Sequence, residues 1–163
     1  MSSWWIILVI VVCILLVFML YFKFQFYPSE TMKIPNSSDE LELMVIKEGN
    51  VNCYIVKKEN YIILIDAGLG KNTPRELQKL GIRPEDVSHV FLTHSDYDHI
   101  GGLKYFDQAQ IYLGKQEEKM INGENKRFLG LISNEQIKRD YNLLDDEQIV
   151  EIGPIIVQAI HTP

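Results

Sequence analysis

The sequence predicts an α+β domain preceded by a single membrane-spanning helix. Two observations predict the domain. Short runs rich in β-branched and aromatic residues recur between residues 41 and 160, separated by Gly, Asn and Pro turns, and such runs read as strands. Between them lie brief stretches with helical spacing. The third observation predicts the helix. Residues 4–22 form 19 consecutive positions without a charge, an amide or a glycine.

As a helix, residues 4–22 would span about 28 Å, close to the ~30 Å hydrocarbon core of a bilayer. Trp4 and Trp5 at one end and Tyr21 and Phe22 at the other suit interfacial anchoring. A cleaved signal peptide would want a basic start and small residues at the cut. Met1-Ser2-Ser3 carries no basic side chain, and Phe22-Lys23-Phe24-Gln25-Phe26-Tyr27 offers no such site. Lys23 and Lys33 follow the run and no Lys or Arg precedes it, which places the carboxyl side in the cytoplasm. Residues 1–23 are therefore read as an anchor and 24–40 as a linker, the latter from Pro28 and Pro35-Asn36-Ser37-Ser38. Residues 41–163 form the domain.

Residues 41–46 read as the first strand, with Gly49-Asn50 as a turn. Residues 52–56 and 61–66 give two more, joined around Lys58-Glu59-Asn60 in an antiparallel meander. Pro74 opens a helix capped by Thr73 and stopped by Gly81, with Leu77 and Leu80 on one face. Residues 87–92 form a buried strand, 100–106 a short helix, 110–113 a strand and 115–121 a polar surface helix. Residues 122–146 show no clean period. Residues 147–152 and 155–160 form a hairpin through Gly153-Pro154. Cys13 and Cys53 lie too far apart in role to pair, so no intrachain disulfide is expected, and Cys53 reads as a small core residue.

The chemistry concentrates in Thr93-His94-Ser95-Asp96-Tyr97-Asp98-His99-Ile100-Gly101-Gly102. His94, Asp96, Asp98 and His99 are imidazole and carboxylate donors of the kind that Zn, Mn and Fe(II) accept. No single helix or strand face presents all four, whereas a tight loop can point them at two neighbouring metal positions. Gly101 and Gly102 let the backbone pack closely where that loop turns. His89, alone in its strand, reads as a packing residue. Asp66, ending an apolar strand before Ala67-Gly68, reads as a turn-former on its own.

The segment resembles the metal signature of the metallo-beta-lactamase superfamily, Thr-His-x-His-x-Asp-His-x-Gly-Gly. The resemblance implies an αββα sandwich of two similar halves, of which residues 41–163 match the first. It implies two zinc ions in a complete site, with His94 at the first and Asp98 and His99 at the second, Asp98 also orienting the attacking water. Asp96 stands where the family has His. Its harder, anionic donor opens the site to Mn(II) or Fe(II), and a similar Asp variant occurs in the hydrolase-like domain of DNA-uptake channel proteins. The resemblance gives Asp66 a place behind the metal loop. It reads Ile160-His161-Thr162-Pro163 as the start of a Thr-Pro-Gly-His segment, so His161 is not itself a ligand. It also implies a carboxyl-terminal half, needed to complete the fold and its remaining ligands, and brings Arg127, Phe128 and Tyr141 to a substrate groove; a surface insertion is the other reading of that segment.

The functional expectation, for the protein completed by that carboxyl-terminal half and not for this stretch alone, is a membrane-anchored hydrolase that uses a metal-activated water on an ester, thioester, lactone, amide or phosphodiester. The alternatives are a non-catalytic tethered module and, more narrowly, a nuclease-like or DNA-uptake-related activity. The net charge of −6 argues against non-specific nucleic-acid binding, which rests on phosphate neutralisation. The lipid bilayer, through residues 4–22, is the one partner the sequence names.

Overall fold

The computed structural model describes residues 4–25 (backbone only for 22–25), 29–34, 41–122, 124 and 137–162. The apolar run forms helix α1 (Trp4–Gln25). Its side chains are exposed throughout residues 4–21, and by length and composition it could cross a bilayer.

Among the described residues, seven strands form one sheet in chain order: β1 (Glu30–Lys33), β2 (Glu42–Glu48), β3 (Val51–Lys58), β4 (Tyr61–Ile65), β5 (His89–Leu92), β6 (Gln110–Gly114) and β7 (Asn142–Leu144). The first four pair antiparallel, as the meander predicts. From β4 to β7 the pairing is parallel. The change of sense follows from the connections, because a parallel neighbour needs a crossover. Helix α2 (Asn72–Lys79) lies in the β4–β5 crossover. The short helix α3 (Tyr97–Ile100) and a 3-10 turn lie in the next, and α4 (Glu118–Ile121) in the last. All parallel strands therefore end at the same edge of the sheet.

Alternation along the strands gives each face its own core. Ile62, Leu64, Val90, Leu92, Ile111 and Leu113 point to the helical side and pack with Leu77 of α2, Phe106 and Ile121. Ile63 and Phe91 point the other way and meet Ile152 and Ile155. These last two belong to the hairpin β8 (Ile149–Ile152) and β9 (Ile155–Gln158), which forms a separate two-stranded sheet. The predicted sandwich thus takes the form of helices, a mixed seven-stranded sheet and a hairpin layer.

Three local expectations need correction. Glu30–Lys33, inside the segment read as linker, is the edge strand β1; four residues without clear alternation give no strand signal. Thr73 is not a cap. It lies fully buried inside α2, its hydroxyl 3.6 Å from Cys53 Sγ, and Lys71 occupies the cap position. Burial against Cys53, a tertiary contact, displaces the local capping pattern. The strand β7 also lies within residues read as aperiodic. Arg127 and Phe128 fall outside the described residues, while Tyr141 packs against the helical-side core.

Candidate metal centre

Strand β5 delivers Thr93 and His94 to the carboxyl edge, beside the end of β4. Asp66 follows β4 with φ 64° and is nearly fully buried. This left-handed conformation is one that Asp and Asn tolerate better than most residues. It turns the chain beneath the 93–102 loop, so that Ala67 N–H donates to the His99 carbonyl at 2.8 Å. Asp96 is extended (φ −70°, ψ 149°) and precedes α3. That reversal folds Asp98 and His99 back toward His94.

His94, Asp98 and His99 each bring a ligand atom within 4.8 Å of the others. The two imidazole centroids are 3.8 Å apart. Asp96 lies beside this trio, its Oδ2 3.5 Å from His94 Nε2. His161 and His89 stand apart from it. His161 is exposed, its backbone N–H bonded to Asp146 Oδ1 at 2.8 Å. His89 stacks on Tyr112, and burial holds its imidazole below the ordinary value.

One carboxylate orders both histidines. Asp66 Oδ1 accepts from Thr93 N–H at 2.8 Å, and Oδ2 accepts from Thr93 Oγ1 and from His99 Nδ1, each at 2.8 Å. With its proton spent on Asp66, Thr93 Oγ1 accepts from His94 Nδ1 at 2.9 Å. Both rings are thereby assigned as Nδ1–H tautomers. Each keeps an Nε2 lone pair, the arrangement usual for metal-bound histidine. Two imidazoles and a carboxylate, oriented in this way, fit a divalent ion of the zinc type.

Two contacts hold the loop from outside. Gly102 packs on the 66–69 turn, where a Cβ would overlap the Ala67 carbonyl oxygen. Ser95 is fully buried between two candidate ligands, and its N–H and Oγ both donate to Glu117 Oε2, at 3.0 and 2.8 Å. Sequence reading misses Glu117, since the pair is 22 positions apart and follows no local pattern. A cleft of about 720 Å³ opens beside the loop, lined by Thr93, His94, Gln116, Glu117, Asp145 and His161 among others.

Burial pushes the His99 imidazole down, but the hydrogen bond and charge of Asp66, with Asp98 and Asp96, outweigh it and hold His99 above its ordinary value. In the metal-free chain, protonated His99 therefore contributes stability. That contribution is complete below the unfolded-state value and is lost as pH rises through the raised one. Metal binding runs the other way, because a ligating imidazole must be neutral. Zinc affinity is expected to fall as pH drops through the raised His99 value, with proton release on binding. Zinc titration calorimetry in buffers of different ionisation enthalpy checks this; pH-independent affinity contradicts it.

A model of the metallo-beta-lactamase superfamily matches residues 46–163. The chain belongs to the metallo-beta-lactamase superfamily. Among curated relatives, the probable metallo-hydrolase Mb2322c of Mycobacterium bovis is 27% identical over 89 residues, covering 40% of this chain and 29% of that protein. The acyl-coenzyme A thioesterase MBLAC2 of Gallus gallus is 22% identical over 142 residues, covering 72% and 51%. Among solved structures, a HARLDQ-motif metallo-beta-lactamase of Cronobacter sakazakii shares the fold with a TM-score of 0.68 at 22% identity, covering 86% of this chain and 55% of that one. The chain spans between 29% and 39% of the length of the first four curated relatives. As a metallo-beta-lactamase-superfamily chain, it carries the 93–102 loop, with its cluster of candidate ligands, and the strands that support it.

Proposed function

We propose that this chain forms the metal-binding part of a membrane-tethered hydrolase. The observation that carries the reading is the convergence of His94, Asp98 and His99 donors within 4.8 Å, over a carboxylate that orients both rings. His94 and His99 would bind through Nε2 and Asp98 through a carboxylate oxygen, with Asp96 beside His94 as a fourth, anionic donor. When bound, such ions lower the pKa of their water and polarise the oxygen of the bond under attack. Asp98, with its side chain 43% exposed, is the group free to turn toward that water and hold its proton. Asp66 keeps the imidazoles in their ligating tautomer. The trio is compact enough to share one ion, and the family division of its members between two positions makes two the proposed number.

The substrate is an ester, thioester, lactone, amide or phosphodiester. The resemblance to a thioesterase puts thioesters first to be tried. Helix α1 supplies the tether, and Lys23 and Lys33 favour a cytoplasmic domain.

The test is metal analysis by mass spectrometry on detergent-solubilised protein, followed by hydrolysis assays on a panel of acyl thioesters and esters. In the protein completed by its carboxyl-terminal half, about two zinc ions per chain are expected, with turnover that Asp98→Asn abolishes while the fold persists; this chain alone is expected to hold fewer ions and to turn nothing over. Protein with no bound metal after zinc loading would sink the hydrolase reading and leave the tethered module.

A further inference from the structure

We propose that the carboxyl edge of the seven-stranded sheet, which carries the metal loop, is the membrane-proximal edge of the domain and lies against lipid headgroups. The inference rests on the reading of α1 as a membrane anchor. It follows from where the chain enters the sheet.

One row of paired residues runs across the sheet: Met32, Val45, Tyr54, Ile65, Phe91 and Tyr112. Ser29 is three positions before Met32, and His94 is three positions after Phe91. Strands β1 and β5 run in opposite senses, so both steps lead to the same edge. Twist tilts β5 relative to β1 without exchanging the two edges. Four inter-strand spacings of about 4.8 Å put the metal loop roughly 19 Å across the sheet from the entry strand.

That entry is fixed to the domain. Ser29 Oγ and Thr31 Oγ1 donate to the carboxylate of Glu76 on α2, at 2.8 and 3.1 Å. Glu48, ending β2 at this edge, accepts from Leu69 N–H at 2.8 Å, and Leu69 lies under Gly101 of the metal loop. Between Gln25, the last residue of α1, and Ser29, four peptide steps reach at most about 14 Å. The domain therefore cannot stand far from the bilayer, and the edge it presents first is the one bearing Ser29.

The side chains suit that placement. Tyr97 on α3 is 54% exposed and Ile160, beside the cleft, 71%; tyrosine favours the interfacial region. The opposite edge ends in exposed polar turns, Glu59-Asn60 and Asp107-Gln108, and also exposes Tyr61 and Tyr105, so the tether and not the tyrosines decides between the two edges. Asp96, Asp98, Asp145 and Asp146 make the proximal edge acidic, so its approach is expected to be closer on zwitterionic lipid than on anionic lipid, which repels it.

The experiment places single fluorophores at Gln116→Cys, on the proximal edge, and Gln108→Cys, on the distal edge, in the full chain carrying Cys13→Ser. Cys53 is buried and its thiol is pushed up to about 12, so it resists labelling. Each protein is reconstituted into phosphatidylcholine vesicles containing headgroup-nitroxide lipid. Quenching several-fold stronger at position 116 than at 108 is expected. Equal quenching, or stronger quenching at 108, overturns the proposal while the anchor stands. Protein that fails to float with vesicles overturns the anchor and the proposal together.

Discussion

Asp66→Ala is expected to lower zinc affinity by one to two orders of magnitude, the usual cost of removing the carboxylate behind a metal-bound histidine. It is also expected to cost about 3 kcal/mol of stability. The size follows from how much one side chain does. Its two oxygens accept from the Thr93 N–H, the Thr93 hydroxyl and His99 Nδ1. With Asp66 gone, the backbone donor and the hydroxyl lose their acceptor, and neither histidine has its proton fixed on Nδ1. Alanine would also occupy a backbone at φ 64°, which it tolerates poorly. Asp66→Asn separates the two effects. Asparagine accepts that backbone and can still receive the Thr93 N–H, but its amide cannot accept both remaining protons. Most of the stability should return and most of the affinity should not. Thermal unfolding and zinc competition with a chromophoric chelator measure the two; full zinc affinity in the Asn variant would remove Asp66 from the metal site.

Among the described glycines, Gly102→Ala is expected to be the most damaging single-methyl change. Its Cβ would overlap the Ala67 carbonyl oxygen, which is backbone and cannot rotate away. Gly102 N–H also donates to the Gly68 carbonyl at 2.9 Å, so the strands of this contact cannot part without losing a bond. Overpacking at a rigid contact costs about 1–3 kcal/mol and sometimes more, and the upper end applies here. The two segments pressed apart carry Asp66 and His99, so metal affinity should fall with stability. Gly68→Ala makes a useful comparison. There a Cβ would meet the side chains of Glu48 and Thr73, and the strain adds to that of φ 74°. A Gly102→Ala protein with unchanged melting temperature and zinc affinity would show that the loop can be lifted freely.

Much of this site was legible in the sequence because its parts are contiguous. Four donors within six positions, after a β-branched strand and before Gly-Gly, leave few loops able to hold them. The backbone contact at Gly102 is what that glycine pair implied. Asp66 was legible only in part: its place after an apolar strand suggested a turn, in keeping with its φ of 64°, and only the resemblance put it behind the loop. Its bonds to Thr93 and His99 depend on β4 and β5 lying side by side, which one strand cannot announce. Glu117 was invisible for the same reason, since Ser95 and Glu117 meet only through the β5–β6 pairing. In the fold, the meander and the β8–β9 hairpin follow from alternation and from Gly153-Pro154. β1 and β7 are too short to carry a period. The Thr73 cap failed because the helix begins at Asn72, one residue before it, which leaves Thr73 inside the helix and buried.

The strand order of the large sheet has a consequence for how the domain assembles. From β1 to β7, every strand pairs with the one before it in the chain. Loop-closure entropy is small across the tight turns that join β2, β3 and β4, and larger across the crossovers between the parallel strands. The antiparallel meander is therefore expected to form first, and the parallel pairing, whose contacts are non-local, more slowly. A chain emerging from the ribosome, with α1 already out, can add each strand to an existing template as it appears. Among the described strands, the gap between Gly114 of β6 and Asn142 of β7 is the widest, so this pairing carries the largest closure cost.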